Sequence, residues 1–198
     1  KRNSYLEQKK KILSEWLSRM NNIHNAVDLG ANEGEFSKLS AEKNIYTVAA
    51  DLDPCCINNL YLQIKSSGEK NIQPLVIDLA NPTPSTGVNN QERNSFIDRA
   101  NADLILSLAL IHHLAIGKNI PFEVIAGMFS RLGKELIIEF VPKDDEKVKL
   151  MLSRKKDIYS KYDETNFENS FKKYFAIIDN KIIPGSGRIL YRMQTIKK

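Results

Sequence analysis

Residues 25–37 constrain the fold of this chain more than any other stretch. Residues 26–29 predict a short buried strand, residues 30–34 predict a tight turn that contains Gly30 and Gly34, and Phe36 lies at the start of a predicted helix. Glycine adopts backbone angles that a Cβ forbids, and it lets a ligand approach the main chain. A strand, a glycine turn and a helix in this order form the opening unit of a nucleotide-binding α/β sheet.

The chain then continues as an alternation of strands and helices. Four more strands are predicted at residues 45–50, 72–77, 103–111 and 135–141, and three more helices at residues 54–68, 91–101 and 121–132. The strands are apolar through most of their length, as parallel strands covered on both faces are. Five such strands between helices predict a doubly wound parallel sheet.

The two ends of the chain complete this prediction. Residues 5–20 predict an amphipathic helix that docks on the sheet. Trp16 is expected in the core, and Lys9, Lys10 and Lys11 are expected outside the apolar face. Residues 143–174 are highly charged and are predicted to be mostly helical, and residues 175–183 and 189–195 predict an antiparallel hairpin. We therefore expect an α/β fold with a seven-stranded, mostly parallel sheet, divided into a leading helix (residues 1–22) and one domain (residues 23–198).

Composition limits the class of protein. A chain of 198 residues with 42% hydrophobic and 27% charged residues is typical of a globular domain, and no apolar run reaches the roughly 18 residues of a membrane span. Cys55 and Cys56 are adjacent and are the only cysteines, so they provide neither a disulfide framework nor a spaced set of metal ligands. They favour a reducing, cytoplasmic location.

Charge is distributed unevenly along the chain. Residues 1–25 carry a net charge of +4, residues 26–142 carry −5 and residues 143–198 carry +6. The acidic central part suits a cationic ligand, whereas the basic flanks suit an anionic substrate, nucleic acid or lipid headgroups. For scattered lysines, a solvated helix surface is the simpler interpretation.

Acidic residues collect where the predicted strands end. Asp28, Glu33 and Glu35 surround the glycine turn, and Asp51 and Asp78 follow the next two strands. A pyrophosphate prefers bare N–H groups without nearby carboxylates, so a dinucleotide is disfavoured. A cationic adenosyl compound fits better, and S-adenosylmethionine (SAM), with its sulfonium and ammonium groups, is the common one.

Two of these acidic residues have a predicted role and an alternative. Asp51 follows Gly30 by 21 residues, and an acidic residue at about 20 positions is the usual partner of ribose hydroxyls. Asp51 could instead cap a helix or stabilise a turn. Asp78 lies within Asp-Leu-Ala-Asn-Pro and could instead be a simple turn residue. Asp53 is expected to cap the helix that begins at Pro54.

The sequence Asp-Leu-Gly-Ala-Asn-Glu-Gly at residues 28–34 resembles the first motif of the class I SAM-dependent methyltransferases, with Asn32 where a middle glycine often lies. The resemblance extends over residues 23–196 and implies a Rossmann-like methyltransferase fold with SAM as cofactor. It also implies that Asp78 contacts the adenine amino group and that Leu79 packs on the ring. The predicted cofactor-binding residues are Asp28, Gly30, Ala31, Asn32, Gly34, Phe36, Asp51, Leu52, Asp78, Leu79 and Ser107.

His112 and His113 are the candidate catalytic residues. They follow the fourth strand, and the His-His-Leu sequence resembles the one found there in many small-molecule methyltransferases. A histidine can remove a proton from an acceptor near neutral pH, and the alternative is that one of the two caps the strand end by a hydrogen bond. No third ligand lies at a recognisable spacing, so no metal site is predicted.

The sequence narrows the acceptor without naming it. Residues 107–110 read Ser-Leu-Ala-Leu and not the Asn-Pro-Pro-Tyr that marks methylation of exocyclic or glutamine amines in the family. Residues 139–188 resemble methyltransferase-like proteins grouped with a rhizobial nodulation protein, which implies a small-molecule or glycan-like acceptor. Arg188 lies in the predicted turn of the hairpin, from which it could reach the cleft, and a surface arginine in a turn is the favoured alternative.

Three functions remain open at this point. The first is a SAM-dependent methyltransferase that acts on an O or N of a small-molecule or glycan-like acceptor, and the second is an RNA methyltransferase that uses the basic flanks. The third is a non-catalytic methyltransferase-like domain of a larger protein. A dehydrogenase is disfavoured by the carboxylates around the turn, and the oligomeric state is left open.

Overall fold

A computed structural model describes residues 2–153 and 155–196 of the chain. The strands are β1 (Asn25–Leu29), β2 (Tyr46–Asp51), β3 (Ile72–Val76), β4 (Ala102–Ser107), β5 (Gly133–Phe140), β6 (Phe175–Ile182) and β7 (Ile189–Thr195). The helices are α1 (Arg2–Arg19), α2 (Glu35–Ala41), α3 (Pro54–Ser67), α4 (Phe96–Ala100), α5 (Phe122–Leu132), α6 (Glu146–Leu152) and α7 (Glu164–Phe171). None of the helices in these two ranges is long and apolar enough to cross a bilayer.

The strands form one seven-stranded sheet in the order β3-β2-β1-β4-β5-β7-β6. Strands β1 to β5 are parallel, and β7 lies antiparallel between β5 and β6. The chain builds outward from β1 to β3 and then returns to place β4 on the other side of β1, so the strand order reverses between β1 and β4. The predicted fold class, with its C-terminal hairpin, is confirmed.

Side chains from successive residues of the central strands pack on opposite faces of the sheet, as the pleat requires. On β4, Leu104 and Leu106 pack in a cluster with Leu13 and Trp16 of α1, whereas Ile105 packs in a cluster with residues of α5 and α7. Trp16 is almost fully buried, and its Nε1 donates to Asp179 Oδ2 at 2.9 Å. The prediction of Trp16 as a core residue is confirmed.

The start of α3 follows the predicted capping pattern. Asp53 Oδ1 accepts a hydrogen bond from the Cys55 backbone N–H at 2.8 Å, and Pro54 occupies the first turn, where its missing N–H costs nothing. The helix ends at Gly68, which has a φ of 74°. The role predicted for Asp53 is confirmed.

The helix predicted at residues 91–101 is wrong in its first half. Only α4 (Phe96–Ala100) is helical, with Ser95 as its cap. The preceding residues form an isolated antiparallel bridge between Thr86 and Arg93, which uses the backbone groups that a helix would need.

Two other predicted elements have different limits. The fourth strand ends at Ser107 and not at residue 111, because Ala109 adopts a left-handed backbone with a φ of 55°. Residues 143–174 contain only the short helices α6 and α7, each capped by an aspartate, and the described residues between them are mostly irregular.

Candidate functional site

A cavity of about 800 Å³ lies where the strand order reverses, at the carboxyl ends of β1 to β4. Ligands of open α/β sheets bind in this position because the loops diverge there and leave a crevice. We call it the switch-point cavity. Helix α1 contributes Tyr5, Leu6 and Lys9 to its wall.

The structure brings most of the predicted cofactor-binding residues together at this cavity. Its lining includes Gly30, Ala31, Asn32, Phe36, Asp51, Leu52, Asp78 and Leu79. The lining does not include Asp28, Gly34 or Ser107. Asp28 and Ser107 are fully buried. The five carboxylates of the lining are Glu33, Glu35, Asp51, Asp53 and Asp78.

Every backbone amide of the glycine turn already has a hydrogen-bond partner inside the protein. The N–H groups of Gly30 and Ala31 donate to Ala50 O, that of Asn32 to Asp51 Oδ2, that of Glu33 to Asn32 Oδ1 and that of Gly34 to Ala31 O, over 2.8–3.1 Å. A pyrophosphate-binding turn must instead offer its N–H groups to the ligand. The turn is therefore unsuited to hold a dinucleotide in the usual way.

Asn32 occupies a left-handed position of this turn, with a φ of 51°. Asparagine tolerates that region better than other non-glycine residues, because its short side chain can bond locally. Here its Oδ1 accepts from the Glu33 N–H. This conformation explains how Asn32 takes the place of the middle glycine.

Asp51 links the turn to the start of α3. Its Oδ2 accepts from the Asn32 N–H at 2.8 Å, and its Oδ1 accepts from the Asp53 N–H at 2.9 Å. A carboxylate has about four lone-pair positions, so about two remain for further donors. The alternative role of Asp51 as a turn residue and its place in the cavity are thus compatible.

Asp78 also combines a turn with the cavity. Its Oδ1 accepts from the Ala80 N–H at 2.9 Å, and its Oδ2 lies 3.5 Å from Lys118 Nζ on the facing loop. Leu79, next to it, is mostly buried and contributes an apolar side chain to the same wall. The two residues therefore form a polar and an apolar part of one end of the cavity.

Asp28 lies behind the turn and makes a hydrogen bond within the core. Ser37 Oγ donates to Asp28 Oδ2 at 2.6 Å, and only 1% of Asp28 is exposed. Burial raises the pKa of the Asp28 carboxyl to about 6, against the lowering effect of Ser37 and Lys9. This carboxylate supports the turn from below and does not line the cavity.

The loop after β4 is strained where it meets the cavity. Ala109 has a φ of 55°, which costs a residue with a Cβ roughly 1–2 kcal/mol, and residues 108–110 all line the cavity. Ser107 Oγ and His112 Nδ1 are buried and have no hydrogen-bond partner among the described residues. Strain and unpaired polar atoms concentrate at functional sites.

The two histidines differ in their positions. His113 lines the switch-point cavity, whereas His112 is 2% exposed and lies behind it, with the ring centroids 4.2 Å apart. Burial lowers the pKa of His112 to about 3, and it also lowers the pKa of His113. No group of three metal-ligating side chains occurs among residues 2–153 and 155–196.

A largely buried group of charged and polar residues, which the sequence did not reveal, lies beside the cavity. This charge network consists of Tyr5, Lys9, Glu139, Asp145 and Arg188. Glu139 is fully buried and accepts hydrogen bonds from Tyr5, from Lys9 and from Arg188 Nη1, the last at 3.2 Å. Arg188 also forms a two-pronged ion pair with Asp145, over 2.8 and 3.1 Å. Burial opposes charge on Glu139, but Lys9, Tyr5 and Arg188 hold its pKa below the usual range.

Two predictions about these residues are wrong. Arg188 is not a surface residue of the hairpin turn, since its side chain is only 12% exposed. Lys9 does not lie outside the apolar face of α1, because it is 3% exposed and packs 4.6 Å from the Phe36 ring. The spacing contained a signal for Lys9, which precedes Leu13 by four positions and Trp16 by seven and so shares their face.

Strand order, the C-terminal hairpin and the position of the cavity together define the class I SAM-dependent methyltransferase fold, and comparison with solved structures confirms it. A protein from Pyrococcus horikoshii OT3, PH0226, matches with a TM-score of 0.69 and 18% identity over 98% of this chain and 91% of that one. Magnesium protoporphyrin IX methyltransferase (ChlM) from Synechocystis PCC 6803, with bound SAH, matches with a TM-score of 0.64 and 18% identity over 96% and 84%. The N-methyltransferase NodS from Bradyrhizobium japonicum WM9 matches with a TM-score of 0.64 and 13% identity over 97% of both chains.

One curated relative supports the resemblance to nodulation-related proteins. Nodulation protein NoeA from Rhizobium meliloti (strain 1021) is 37% identical over 169 residues, which cover 85% of this chain and 35% of that protein. This chain thus spans about a third of the length of that relative. No family model matches the sequence.

Proposed function

We propose that this chain is a SAM-dependent methyltransferase that moves the methyl group of S-adenosylmethionine to an oxygen or nitrogen of a small-molecule or glycan-like acceptor. The switch-point cavity carries the proposal. Five carboxylates line it, and the amides of its glycine turn are all paired within the protein. Such a site favours a cationic adenosyl ligand over a pyrophosphate.

In this proposal, different predicted residues bind different parts of SAM. Asp51 accepts from the two ribose hydroxyls with the lone pairs that the backbone leaves free. Asp78 accepts from the adenine amino group, and Leu79 packs on the ring. Gly30 is required by the turn beside the methionyl part, since a Cβ there would lie 3.1 Å from Leu110 Cδ1 in a backbone with a φ of 74°.

Methyl transfer requires the protein mainly to align the acceptor with the methyl group. A lone pair of the acceptor attacks the methyl carbon, the carbon–sulfur bond breaks and its electron pair stays on sulfur, which leaves S-adenosylhomocysteine (SAH). Holding the two reactants in line supplies most of the acceleration. The acceptor proton must leave, and His113 is the base that we propose, because it lines the cavity and its lowered pKa keeps it neutral at pH 7. His112, buried behind it, packs against the His113 ring with the centroids 4.2 Å apart.

Some of the comparisons agree with a small-molecule acceptor, but the 16S rRNA methylase ArmA also matches the fold, with a TM-score of 0.62 and 15% identity. One structural neighbour is a methyltransferase of magnesium protoporphyrin IX and another is an N-methyltransferase, so two neighbours of this fold transfer methyl groups, at least one of them to a small molecule. The similarity to a nodulation protein agrees with the glycan-like alternative that the sequence resemblance implied. The two adjacent cysteines, both free, support a reducing, cytoplasmic compartment.

Calorimetric titration with SAM and with SAH tests the cofactor site. We expect Asp51→Asn to lower the affinity for both at least about tenfold, because it removes charge-assisted hydrogen bonds worth roughly 1.5–3 kcal/mol each. Asp144→Asn, which changes an aspartate outside the cavity, is the matched control and should bind as the unmodified protein does. Absence of SAH binding at millimolar concentration to the folded protein would overturn the proposal.

RNA is the alternative acceptor, supported by the basic flanks of the sequence. The acidic lining of the cavity opposes it, since phosphates would be repelled close to the transferred methyl group. An RNA methyltransferase should bind RNA with an affinity that falls steeply with salt concentration. A small-molecule enzyme should show no such binding at physiological salt.

A non-catalytic domain of a larger protein is the second alternative. The curated relative is about three times as long as the matched region, which leaves room for other activities in that protein. Conversion of SAM to SAH with any acceptor would exclude this alternative. SAM binding without turnover across a broad set of acceptors would favour it.

A further inference from the structure

A second cavity lies between the start of α5 and α7, and residues 113–120 separate it from the switch-point cavity. We call it the α5–α7 cavity. It is open to solvent on one side and has a volume of about 730 Å³, which is the size of a small-molecule site. Residues 113–120 begin with a π-helix at His113–Gly117. His113 and Lys118 line one cavity, whereas Ala115 and Asn119 line the other.

One wall of the α5–α7 cavity is a polar stripe on α7 and the residues just after it. The residues that line it are Asn166, Asn169, Ser170 and Lys173, which are three or four positions apart and so share one helix face. The opposite face of α7 carries Phe167 and Phe171, both fully buried. Among the described residues, the side chains of Asn169 and of Ser160 on the facing wall form no hydrogen bond, which leaves them available to a ligand.

The floor of the cavity is apolar and aromatic. Phe122 and Tyr162 are both mostly buried, with ring centroids 5.2 Å apart, and Ala115 and Ile120 extend the same surface. The Tyr162 hydroxyl is already used, since it donates to Val141 O at 2.8 Å. The floor therefore offers C–H and ring surface and no free polar group from Tyr162.

The facing wall is held in place without a ligand. Tyr159 OH donates either to Ile116 O, at 2.9 Å, or to Asn119 Oδ1, which ties residues 158–162 to residues 116–119. Lys143 Nζ donates to Tyr159 O at 3.1 Å and pairs with Asp157 at 2.8 Å. These contacts fix both sides of the opening, so the cavity is formed before binding.

Charge distinguishes this cavity from the first. Glu123 and Lys173 neutralise each other across the rim at 2.7 Å, and among the described lining residues Lys161 is the only other ionisable group with a charge at pH 7. The switch-point cavity has five carboxylates instead. A cationic ligand has no partner in the α5–α7 cavity, as far as its described lining extends, and a strongly anionic one has only Lys161.

We propose that the α5–α7 cavity is a second binding site, which takes a sugar unit of an uncharged carbohydrate. Asn166 Nδ2 already donates to Asp163 Oδ2 at 2.7 Å and Ser170 Oγ to Asn166 O at 2.8 Å. The amide of Asn169 and the hydroxyl of Ser160 both donate and accept hydrogen bonds, so these two groups match the hydroxyl groups on the edge of a sugar ring. Phe122 and Tyr162 are only 8% and 5% exposed, so they offer small apolar contacts to the C–H groups of the ring. The proposal rests on this cavity alone and does not require SAM binding or methyl transfer.

Titration of the isotopically labelled protein with neutral trisaccharides, followed by NMR and calorimetry, tests the site. The probes are maltotriose, cellotriose and tri-N-acetylchitotriose. We expect at least one to bind saturably and to shift the amide signals of α7 and of residues 158–162. Asn169→Ala should weaken binding about fivefold, the loss of one or two neutral hydrogen bonds, and Asn169→Trp should abolish it by filling the cavity.

Asn58→Ala and Asn58→Trp are the matched controls, because Asn58 is an exposed helical asparagine of α3 that lines neither cavity. Both should bind the trisaccharide as the unmodified protein does. The proposal is overturned if no probe binds at tens of millimolar, if Asn169→Trp retains full affinity, or if the shifted signals belong to the switch-point cavity. A parallel titration with SAH distinguishes the two sites, because SAH binding at the switch-point cavity should not change in the Asn169 variants.

Discussion

At the scale of single residues, the glycine turn shows how close packing and backbone conformation act together. Gly34 has a φ of 75°, and a Cβ at this position would lie 2.7 Å from Leu60 Cδ1 of α3. Gly68 has a φ of 74°, but a Cβ there would meet nothing within 4 Å. The two positions therefore separate the cost of the backbone from the cost of the contact.

We expect Gly34→Ala to lower the free energy of unfolding by about 2–4 kcal/mol, the sum of a left-handed alanine and an overpacked core contact. Gly68→Ala should cost only about 1–2 kcal/mol, because the backbone term acts alone. Urea denaturation of both variants measures the difference. Equal losses would mean that α3 moves away from the turn without cost.

His112 predicts a pH dependence whose sign follows from its burial. Its pKa is lowered from about 6.5 in the unfolded chain to about 3 in the folded one, so between these values the unfolded state binds more protons. Stability therefore falls as the pH falls below about 6.5. The charged groups near the ring act in both directions, since His113 and Arg188 lower this pKa and Glu139 and Asp145 raise it.

Between pH 7 and pH 5 we expect the unmodified protein to lose about 2 kcal/mol of unfolding free energy through this group. His112→Gln should lose less over the same interval, whatever its stability at pH 7. His24→Gln, at a histidine far from this loop in the sequence, should keep the full loss. Parallel pH profiles for the His112 variant and the unmodified protein would contradict the assignment.

At the scale of elements, α1 is attached to the sheet by charges as well as by apolar packing. Lys9 and Tyr5 on α1 bond to Glu139 on β5, and Arg188 in the hairpin turn bonds to the same carboxylate. Breaking a buried ion pair by removing one partner leaves a charge without compensation, which costs roughly 3–5 kcal/mol. The position of α1 over the cavity therefore depends on the charge network.

We expect Lys9→Met to destabilise the protein by about 3 kcal/mol and to increase amide hydrogen exchange in α1. The double variant Lys9→Met with Glu139→Gln should recover part of this loss, because no unpaired carboxylate remains. Lys10→Met removes an exposed pair with Glu35 and should cost less than about 1 kcal/mol. A Lys9 variant as stable as the Lys10 variant would show that the network does not hold the helix.

At the scale of the whole molecule, the acidic cavity should distinguish ligands by charge. SAM carries one positive charge more than SAH, and the proposed function places that charge among five carboxylates and two lysines. Salt screens such interactions over roughly 10 Å at 0.1 M. The preference for SAM over SAH should therefore shrink as salt is raised.

We expect the ratio of the two dissociation constants to fall several-fold between about 0.05 and 0.5 M sodium chloride, as measured by calorimetry. The affinity for SAH, which has no net charge, should change little and serves as the control. A ratio that does not depend on salt would mean that the carboxylates do not act on the sulfonium.

The sequence by itself determined the order of the strands and helices and the acidic residues at the strand ends. These features depend on the local periodicity of apolar residues and on the regular length of a strand–helix unit. Local patterns alone therefore place Asp51 and Asp78 at the same edge of the sheet. The apolar runs and the hairpin turn likewise predicted the seven-stranded sheet. Elements without a strong period, such as residues 91–101 and 143–174, were predicted less well because long-range contacts decide their conformation.

Only the tertiary structure decided which charged residues are buried and which histidine faces the cavity. Lys9 and Glu139 are separated by 130 positions, and Tyr5 and Arg188 by 183, so no local pattern could pair them. The α5–α7 cavity likewise combines separate segments of the chain. A buried charge is tolerated only where its partners already surround it, and that condition exists only once the sheet has brought both ends of the chain together.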